Sequence, residues 1–343
     1  MVRKDHQSVP SRITYYLMRR LGSGKVYAVV SVFLRKCGPA WQEAQKRIGT
    51  RREILRHAAF YPQKIAPSVQ DILKGFCGKK IMDRQTKIMV IGCCFAQQLQ
   101  QSLLHHQYRV LDAPWGLLYH SRSIRQALDR FLDRTFETQP EKYWVMHGEY
   151  FDPYRNFQSH VGPVFLGRSI EEADAALQAH HEHCRSIFMD AEVAFVSLGL
   201  TETFRRRDNR ATFCMTPCDE VYDPHIHEFY DLSYQDVLAD VRAIVDRLKG
   251  KKILLSVSPV ALHVSFREGL GGYIADRFSK SILQAVVYDV IQHSGREDIF
   301  YFPAYEIGRS DTRRHLKKDG RHVNGLCMSK IIEAIEKLYV RDL

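Results

Sequence analysis

The sequence predicts an α/β fold in which helices cover both faces of a mainly parallel sheet. From residue 87 onward, short β-rich runs alternate with longer amphipathic stretches. Strands that alternate with helices favour a parallel sheet, because each parallel connection has to cross one face of the sheet. The length of 343 residues is sufficient for one large α/β domain with an appended segment.

Five strands and six helices are predicted in this region. The strands are expected at residues 87–91, 108–111, 192–198, 251–258 and 298–303. The helices are expected at residues 95–105, 122–134, 169–189, 233–249, 276–293 and 325–338. Residues 201–232 are too long for a plain connection, and we expect them to form a hairpin or a flap.

Residues 1–85 are predicted to form a basic and mostly helical N-terminal extension to a domain that covers residues 86–343. Residues 1–60 contain 13 Lys or Arg against 3 Asp or Glu, so most of the net charge of +11 belongs to them. This charge would suit an acidic carrier protein or an anionic membrane surface, and a solvated basic face without a partner is the alternative. Nucleic acid is not expected as a partner, because no zinc finger, RNA-binding signature or aromatic-basic interleaving is present.

Composition predicts a cytoplasmic protein that contacts a membrane, if at all, only at the membrane surface. The longest apolar run, at residues 26–34, is far shorter than the roughly 18 residues of a membrane span, and it resembles no signal peptide. The eight cysteines have no CxxC pairs and no disulfide or zinc spacing. They are therefore expected to be reduced thiols.

Several polar or small residues follow the predicted strands directly. Gly92 and Cys93 follow the first strand, the Gly199–Thr201 stretch follows another, and Ser258 ends a third. Because ligands of parallel sheets bind beyond the carboxyl ends of the strands, these residues are expected to meet at one edge. Cys93 at a strand-to-helix junction is either a small buried residue or a nucleophile.

A second candidate pair lies near the C-terminus, just before the last predicted helix. Asp319 and His322 are three residues apart in the sequence KKDGRHVNG. A carboxylate at this spacing can accept a hydrogen bond from the imidazole, fix its tautomer and stabilise its protonated form. Such a pair is weak evidence alone and gains weight from the candidate nucleophile at Cys93.

These segments resemble the GSCFA family. GCCFA at 92–96 is similar to the family's signature, with Cys93 in place of the usual serine. DAPWGLLYHSRSI at 112–124 resembles its Pro-x-Gly-x-x-Tyr segment, and DGRH at 319–322 its closing Asp-x-x-His. Further blocks match in the same order at 196–204, 256–260, 279–283 and 301–307, so the resemblance covers about residues 87–340.

The resemblance implies a flavodoxin-like three-layer α/β/α sandwich of the SGNH-hydrolase type. It places Cys93 at the nucleophile position, His322 as the base and Asp319 as the residue that orients it. It also implies an oxyanion hole formed by the backbone N–H groups of Cys93 and Gly116. Thr201 stands where these enzymes commonly have an oxyanion-binding Asn, so its hydroxyl is the candidate third donor.

A cysteine at the nucleophile position favours acyl transfer from a thioester, because the acyl-enzyme is itself a thioester of similar energy. A thiol ionises more easily than a hydroxyl, more so at a helix N-terminus. Acyl-coenzyme A or an acyl-carrier thioester is the expected co-substrate, with no permanently bound cofactor. By resemblance, the acceptor is a hydroxyl of a polysaccharide or glycoconjugate. The alternatives are an esterase or thioesterase with water as acceptor, and a non-catalytic binding protein on a degraded hydrolase scaffold.

Several other residues have both a functional and a simpler structural interpretation. Arg205, Arg206 and Arg207 follow a predicted strand end and could bind phosphates at the cleft, or form a solvated charge run. His147 is either a pocket residue or part of a turn. The HHEHC stretch at 180–184 is expected to be a polar helix face, so no metal site is predicted. Cys94 is expected to pack in the core, with a vicinal disulfide to Cys93 as the alternative.

Overall fold

A four-stranded sheet, parallel throughout, forms the centre of the protein. The computed structural model describes residues 66–112, 114–133, 141–155 and 165–341. The elements in chain order are helix α1 (Val69–Ile72), strand β1 (Ile88–Gly92), helices α2 (Cys94–His105) and α3 (Ser121–Asp133), strands β2 (Trp144–Met146), β3 (Glu149–Phe151) and β4 (Phe165–Gly167), helix α4 (Ile170–Asp190), strands β5 (Val193–Leu198), β6 (Glu202–Arg206), β7 (Thr212–Phe213) and β8 (His227–Asp231), helix α5 (Tyr234–Arg247), strand β9 (Lys252–Val257), helix α6 (Gly272–His293), strand β10 (Ile299–Tyr301) and helices α7 (Ala304–Arg309), α8 (Thr312–His315) and α9 (Gly325–Tyr339).

The central sheet has the strand order β1-β5-β9-β10. Gly92 at the end of β1 pairs with Ser197 of β5, which in turn pairs with Ser256 of β9. The three strands therefore end at the same level. This register places the residues that follow them side by side.

Helices cover both faces of the sheet, as the alternation of strands and helices predicted. In β1, the side chains of Met89 and Ile91 belong to one buried cluster, together with residues of α3, α4, α5 and α6. Ile88 and Val90 belong to a second buried cluster with residues of α2, α7 and α9. Every residue of β1 is buried, as expected for a parallel strand between two helical layers. The α/β fold class is confirmed.

The predicted strand at 108–111 is reduced to a single bridge. Val110 pairs in parallel with Ile88, and the N–H of Ile88 donates to the carbonyl oxygen of Arg109 at 3.0 Å. This segment therefore lies beside β1, on the side away from β5.

Two small antiparallel sheets were not resolved by the sequence as separate units. Strands β2, β3 and β4 form one of them, in chain order. Strands β7, β6 and β8 form the other, within residues 201–232. The segment expected to be a hairpin or a flap is thus a three-stranded antiparallel sheet. Phe204 and Phe229, which pair across β6 and β8, face the cavity described below.

Residues 66–85, which the sequence analysis assigned to the N-terminal extension, pack against the α/β core. Their one helix is the four-residue α1. Ile81 and Met82 are buried, and their N–H groups both donate to the carbonyl oxygen of Tyr339 in α9. The predicted helices and the basic surface of residues 1–60 lie outside the described residues.

The described cysteines form no disulfide with one another. The seven described cysteines are free thiols, including the adjacent Cys93 and Cys94.

In the part of the chain that the structure describes, none of the helices has the length and apolar character needed to cross a bilayer.

Candidate active site

The carboxyl ends of β1, β5 and β9 converge on one cavity. Cys93, Gly199 and Val260, which follow these strands, all line its wall. The cavity has a volume of about 550 Å³. The N–H of Ser258 donates to the carbonyl oxygen of Leu198 at 2.8 Å, so pairing continues past the end of β9. This is the edge at which the sequence predicted a site.

Two glycines allow the backbone to close around Cys93. Gly92 has φ +146°, and a Cβ there would overlap the carbonyl oxygen of Ser197 in the neighbouring strand. At Gly199, a Cβ would lie 2.5 Å from the carbonyl oxygen of Tyr119 and 3.1 Å from the Cβ of Cys93. Larger residues at either position would push the strand ends apart.

The sulfur of Cys93 is buried at the N-terminus of α2, where its thiolate form is favoured. Cys93 is 2% exposed. Side-chain hydrogen bonding with Cys94 is the largest influence that lowers the pKa of Cys93. Burial opposes the shift, but the positive charge of Lys280 and a hydrogen bond from Ser258 add to it. The same pair interaction raises the pKa of Cys94, so Cys93 is the thiol that ionises.

Lys280 supplies a buried positive charge beside these two thiols. Its Nζ donates hydrogen bonds to the carbonyl oxygens of Gly199, at 2.5 Å, and of Val260, at 2.8 Å. Burial lowers the pKa of Lys280, while the nearby Asp276 and Cys93 act in the opposite direction. Through these two bonds Nζ holds together the loops that follow β5 and β9, and positive charge on Lys280 lowers the pKa of Cys93.

His322 lines the same cavity as Cys93 and is oriented by Asp319. The Nδ1 atom of His322 lies 2.6 Å from Oδ2 of Asp319. The backbone N–H groups of Arg321 and His322 donate to the other oxygen, Oδ1, at 2.9 and 3.0 Å. Desolvation alone would raise the pKa of Asp319, but these hydrogen bonds outweigh it and hold the pKa well below its usual range.

This arrangement fixes the tautomer of His322. An ionised carboxylate can only accept, so Nδ1 of His322 carries the hydrogen and Nε2 is left as the basic nitrogen. Local turn geometry produces the pairing, since Asp319 and His322 lie in the loop closed by the bridge between Leu316 and Val323. The Asp-x-x-His spacing therefore forms the contact that the sequence predicted.

The rest of the cavity wall is mainly apolar, and its polar residues His120 and Thr203 already form hydrogen bonds within the fold. Leu117, Phe204, Met215, Phe229, Val260, Leu262, Val264 and Phe266 provide apolar surface. His120 is buried, and its Nε2 lies 3.0 Å from the Thr203 hydroxyl and 3.1 Å from the carbonyl oxygen of Phe213. Burial lowers the pKa of His120 to about 4, so it is neutral near pH 7. Such a wall is suited to an apolar group next to Cys93.

Two of the predicted oxyanion-hole residues do not lie at the cavity. Gly116 has φ +73° and is not among the described residues that line the wall, although Leu117 next to it is. The Thr201 hydroxyl donates to Oδ1 of Asp231 at 2.7 Å and lies 2.8 Å from the Ser279 hydroxyl. It also accepts a hydrogen bond from Arg267 at 2.8 Å. Thr201 thus belongs to a buried polar network and is not among the described residues that line the cavity, so these contacts give no support to a role as third donor.

The predicted substrate-binding residues are engaged elsewhere. The side chain of His147 is 85% exposed in the turn between β2 and β3 and pairs with Glu220 at 3.0 Å. Arg205 and Arg207 both bind Glu228, at 2.7 and 2.9 Å. None of these three residues is among the described residues that line the cavity. Arg205 faces Glu228 because the two residues pair across β6 and β8.

Arg206 also forms ion pairs with acidic side chains. Its guanidinium binds Glu141 and Asp208, each at 2.7 Å. All three arginines of the run are therefore paired with acidic side chains within the fold, and none of them is among the described residues that line the cavity.

The histidine-rich stretch of α4 shows no arrangement for a metal ion. Nε2 of His180 lies 3.5 Å from the sulfur of Cys184, as the four-residue spacing on one helix face requires. Within the described residues, no group of three or more His, Cys, Asp or Glu side chains is placed to hold a metal. Burial lowers the pKa of His180 to about 2 and of His181 to about 3.

Sequence reasoning placed Ser258 at this edge without a role and missed Lys280 as part of the site. Lys280 lies in a segment that resembles a GSCFA block, at 279–283, and that resemblance was its one available signal. A lysine in an amphipathic helix is normally exposed, so its burial cannot be read from spacing. Glu202, in contrast, lines the cavity but binds the N–H of Phe266 and the hydroxyl of Ser265, which supports a structural role.

The fold and site define a member of the α/β class with a nucleophile candidate at a strand-to-helix turn. The chain belongs to the GSCFA family, whose model matches residues 87–335, more than half of the chain. The resemblance predicted from the sequence is confirmed. Comparison with curated proteins and with solved structures found no match.

Proposed function

We propose that this protein is an acyltransferase that moves an acyl group from a thioester donor to a hydroxyl acceptor through an acyl-enzyme on Cys93. One observation carries the proposal: Cys93 and the Asp319-oriented His322, distant in sequence, line one cavity. A thiol whose ionised form is favoured, a base with a fixed tautomer and an apolar wall are the parts that acyl transfer needs.

The proposed relationship to SGNH hydrolases has support in the strand order. If the segment at Val110 is counted as an edge strand beside β1, the order across the sheet is 2-1-3-4-5. This is the flavodoxin-like order, in which the ligand binds at the point where successive strands diverge from the first. Cys93 follows β1, at that point. A flavodoxin-like three-layer sandwich is the fold we propose.

In the first step, the Cys93 thiolate attacks the carbonyl carbon of the donor thioester. The negative charge of the tetrahedral intermediate forms on the former carbonyl oxygen, next to the N-terminus of α2. The N–H groups in the first turn of a helix have no partner within the helix, so these groups and the N–H of Cys93 are the proposed donors. The intermediate collapses by expelling the donor's thiolate, which takes up a proton, and the acyl group remains on Cys93.

In the second step, His322 activates the acceptor. Nε2 of His322 takes the proton of the acceptor hydroxyl as its oxygen attacks the acyl-enzyme, and Asp319 stabilises the imidazolium that forms. Collapse of the second intermediate returns Cys93 as a thiolate and releases the ester. A sugar hydroxyl is the acceptor we propose, on the strength of the family resemblance. The carrier-protein or membrane partner of residues 1–60, and a cytoplasmic location, stay predictions.

The test is intact-protein mass spectrometry after incubation with a panel of acyl thioesters. Wild type is compared with Cys93→Ala and His322→Ala. We expect an acyl-sized mass gain in wild type, none in Cys93→Ala, and an adduct in His322→Ala that forms but turns over slowly. An adduct that survives Cys93→Ala, or a wild type that stays unmodified with every donor, would contradict the proposal.

The same experiment separates a transferase from a hydrolase. With water as acceptor, the acyl-enzyme of wild type decays to free acid at a rate independent of added alcohols or sugars. With a hydroxyl acceptor, added acceptor speeds the decay and ester product accumulates. A binding protein on a degraded scaffold gives no adduct and an unreactive Cys93.

A further inference from the structure

A group of exposed basic side chains stands next to the candidate base. Arg313 and Arg314 belong to α8, and Lys317 and Lys318 follow it directly. We call these four residues the basic patch. All four are exposed, and no ion pair joins any of them to a carboxylate among the residues that the structure describes.

The acidic residues closest in sequence to the basic patch are already occupied. Asp311 caps α8 by accepting from the N–H of Arg314, and Asp319 accepts from His322. This differs from the run Arg205–Arg207, in which Glu141, Asp208 and Glu228 neutralise each arginine. Four positively charged side chains without carboxylate partners among the described residues repel one another, and an anion bound among them would relieve the repulsion.

Backbone contacts join the basic patch to the loop of His322, which lines the cavity. The N–H of Lys317 donates to the carbonyl oxygen of His322 at 2.7 Å, and Leu316 pairs with Val323 across the same loop. The N–H of Gly320, which has φ +68°, donates to the carbonyl oxygen of Lys317 at 3.0 Å and closes a tight turn. The position of Lys317 and Lys318 is therefore coupled to that of His322.

Arg321 connects this loop to the opposite wall of the cavity. Its Nε lies 3.2 Å from the carbonyl oxygens of both Ala261 and Leu262, and all three residues line the cavity. A donor that reaches Cys93 past Arg321 and His322 would have its outer part close to the loop that carries the basic patch.

We propose that the basic patch binds the phosphate groups of a coenzyme A thioester and so holds the donor of the reaction at Cys93. The inference rests on the proposed function and specifies its donor. Arg and Lys are the side chains that bind phosphate, Arg as a planar fork and Lys as a point charge. Coenzyme A carries its phosphates at the end opposite its thioester, which suits exposed cations on the loop of His322 and a sulfur inside the cavity.

The decisive comparison uses one acyl group on two donors, coenzyme A and pantetheine, the second of which lacks every phosphate. The rate of Cys93 acylation is measured by mass spectrometry for wild type and for the double variant Lys317→Gln/Lys318→Gln. The matched control is Lys249→Gln/Lys252→Gln, which removes the same charges from exposed positions at the opposite end of β9.

We expect the Lys317/Lys318 variant to lose about tenfold in second-order acylation rate with the coenzyme A thioester and little with the pantetheine thioester. The control variant should behave as wild type with both donors. Extending the change to Arg313→Gln/Arg314→Gln should deepen the loss, and added salt should weaken the wild-type preference for coenzyme A.

A binding measurement provides a readout that does not depend on catalysis. Adenosine 3′,5′-bisphosphate, titrated calorimetrically, should bind wild type and the control variant, and should bind the Lys317/Lys318 variant about tenfold more weakly. A circular dichroism melt of each variant verifies that the fold is retained.

The outcomes separate this inference from the proposed function. Acylation of Cys93 with equal efficiency by both donors, unaffected by the variants, would overturn the inference and leave the acyltransferase intact. Loss of binding to anionic phospholipid vesicles in the patch variant, with an unchanged preference for coenzyme A, would overturn it in favour of a membrane contact. Absence of any Cys93 adduct with either donor would remove the proposed function and the inference together.

Discussion

The Nζ of Lys280 lies 2.5 Å from the carbonyl oxygen of Gly199, so a helix on one face of the sheet is fixed to the loop that touches Cys93. The same nitrogen reaches the carbonyl oxygen of Val260, and both carbonyls belong to loops at the carboxyl ends of strands. One buried cation thereby shapes the cavity wall and supplies positive charge to the candidate nucleophile.

Replacing this cation should raise the pKa of Cys93. In Lys280→Met the thiolate loses a positive charge that lowers the pKa of Cys93, so the pH midpoint of Cys93 alkylation by iodoacetamide should move upward. The control is Lys251→Met, which removes a lysine whose Nζ donates to the carbonyl oxygen of Ala191 at the other end of the sheet. An alkylation midpoint that is the same in Lys280→Met and in wild type would contradict the assigned role.

The neighbouring thiol should act as a hydrogen-bond donor to Cys93. Cys94→Ala removes the donor and should shift the alkylation midpoint of Cys93 to higher pH, whereas Cys94→Ser keeps a donor and should shift it less. Peptide mapping after alkylation identifies the modified residue. Equal midpoints in the Ala and Ser variants would show that the Cys94 side chain does not stabilise the thiolate.

Loss of the carboxylate beside His322 should slow acyl transfer more than acylation. Asp319→Asn removes the negative partner of Nδ1 and permits the wrong tautomer, so decay of the acyl-enzyme should slow by about 10²–10⁴-fold. Formation of the adduct should change far less, because the thiolate of Cys93 is favoured by Cys94 and Lys280. Single-turnover mass spectrometry measures both rates. Equal losses in the two steps would contradict this division of roles.

Thr201 should matter for stability and not for the chemistry. Thr201→Val leaves Asp231, Ser279 and Arg267 without a shared partner, and should lower the free energy of unfolding by about 1–3 kcal/mol. Thr201→Ser retains the hydroxyl and should lose less. Urea denaturation measures the change. A Thr201→Val protein of normal stability whose acylation rate falls strongly would contradict this structural role and favour the oxyanion role.

Stability should fall as the solution is acidified from pH 6.5 to about 4. The pKa of His120 is lowered to about 4 in the folded protein, so between these values the unfolded chain binds a proton that the folded protein does not. This one group would cost roughly 3 kcal/mol across that interval. His180 and His181 add to the slope, since their pKa values are also lowered. His120→Gln should flatten the dependence, as measured by urea denaturation at several pH values.

The sequence predicted the central elements because their signals are local. Each strand of the sheet is a short apolar run, and each long helix has apolar residues at helical spacing, so α2 and α9 begin and end within a residue of prediction. The strands of the two small sheets have two to five residues, too few for a period to appear. The strand expected at 108–111 is reduced to one bridge at Val110, beside β1.

The features of the candidate site also fall into two groups, those that the sequence predicted and those that it did not. The sequence by itself determined that Cys93 stands at a strand-to-helix turn and that Asp319 can reach His322, because both relationships span at most three residues. Only the tertiary structure decided that Thr201 and the arginines at 205–207 are bound to other partners, that Lys280 is buried beside Cys93, and that the basic patch has no acidic partner among the described residues. Which charges find partners depends on contacts between elements distant in the chain, and no periodicity within a segment records them.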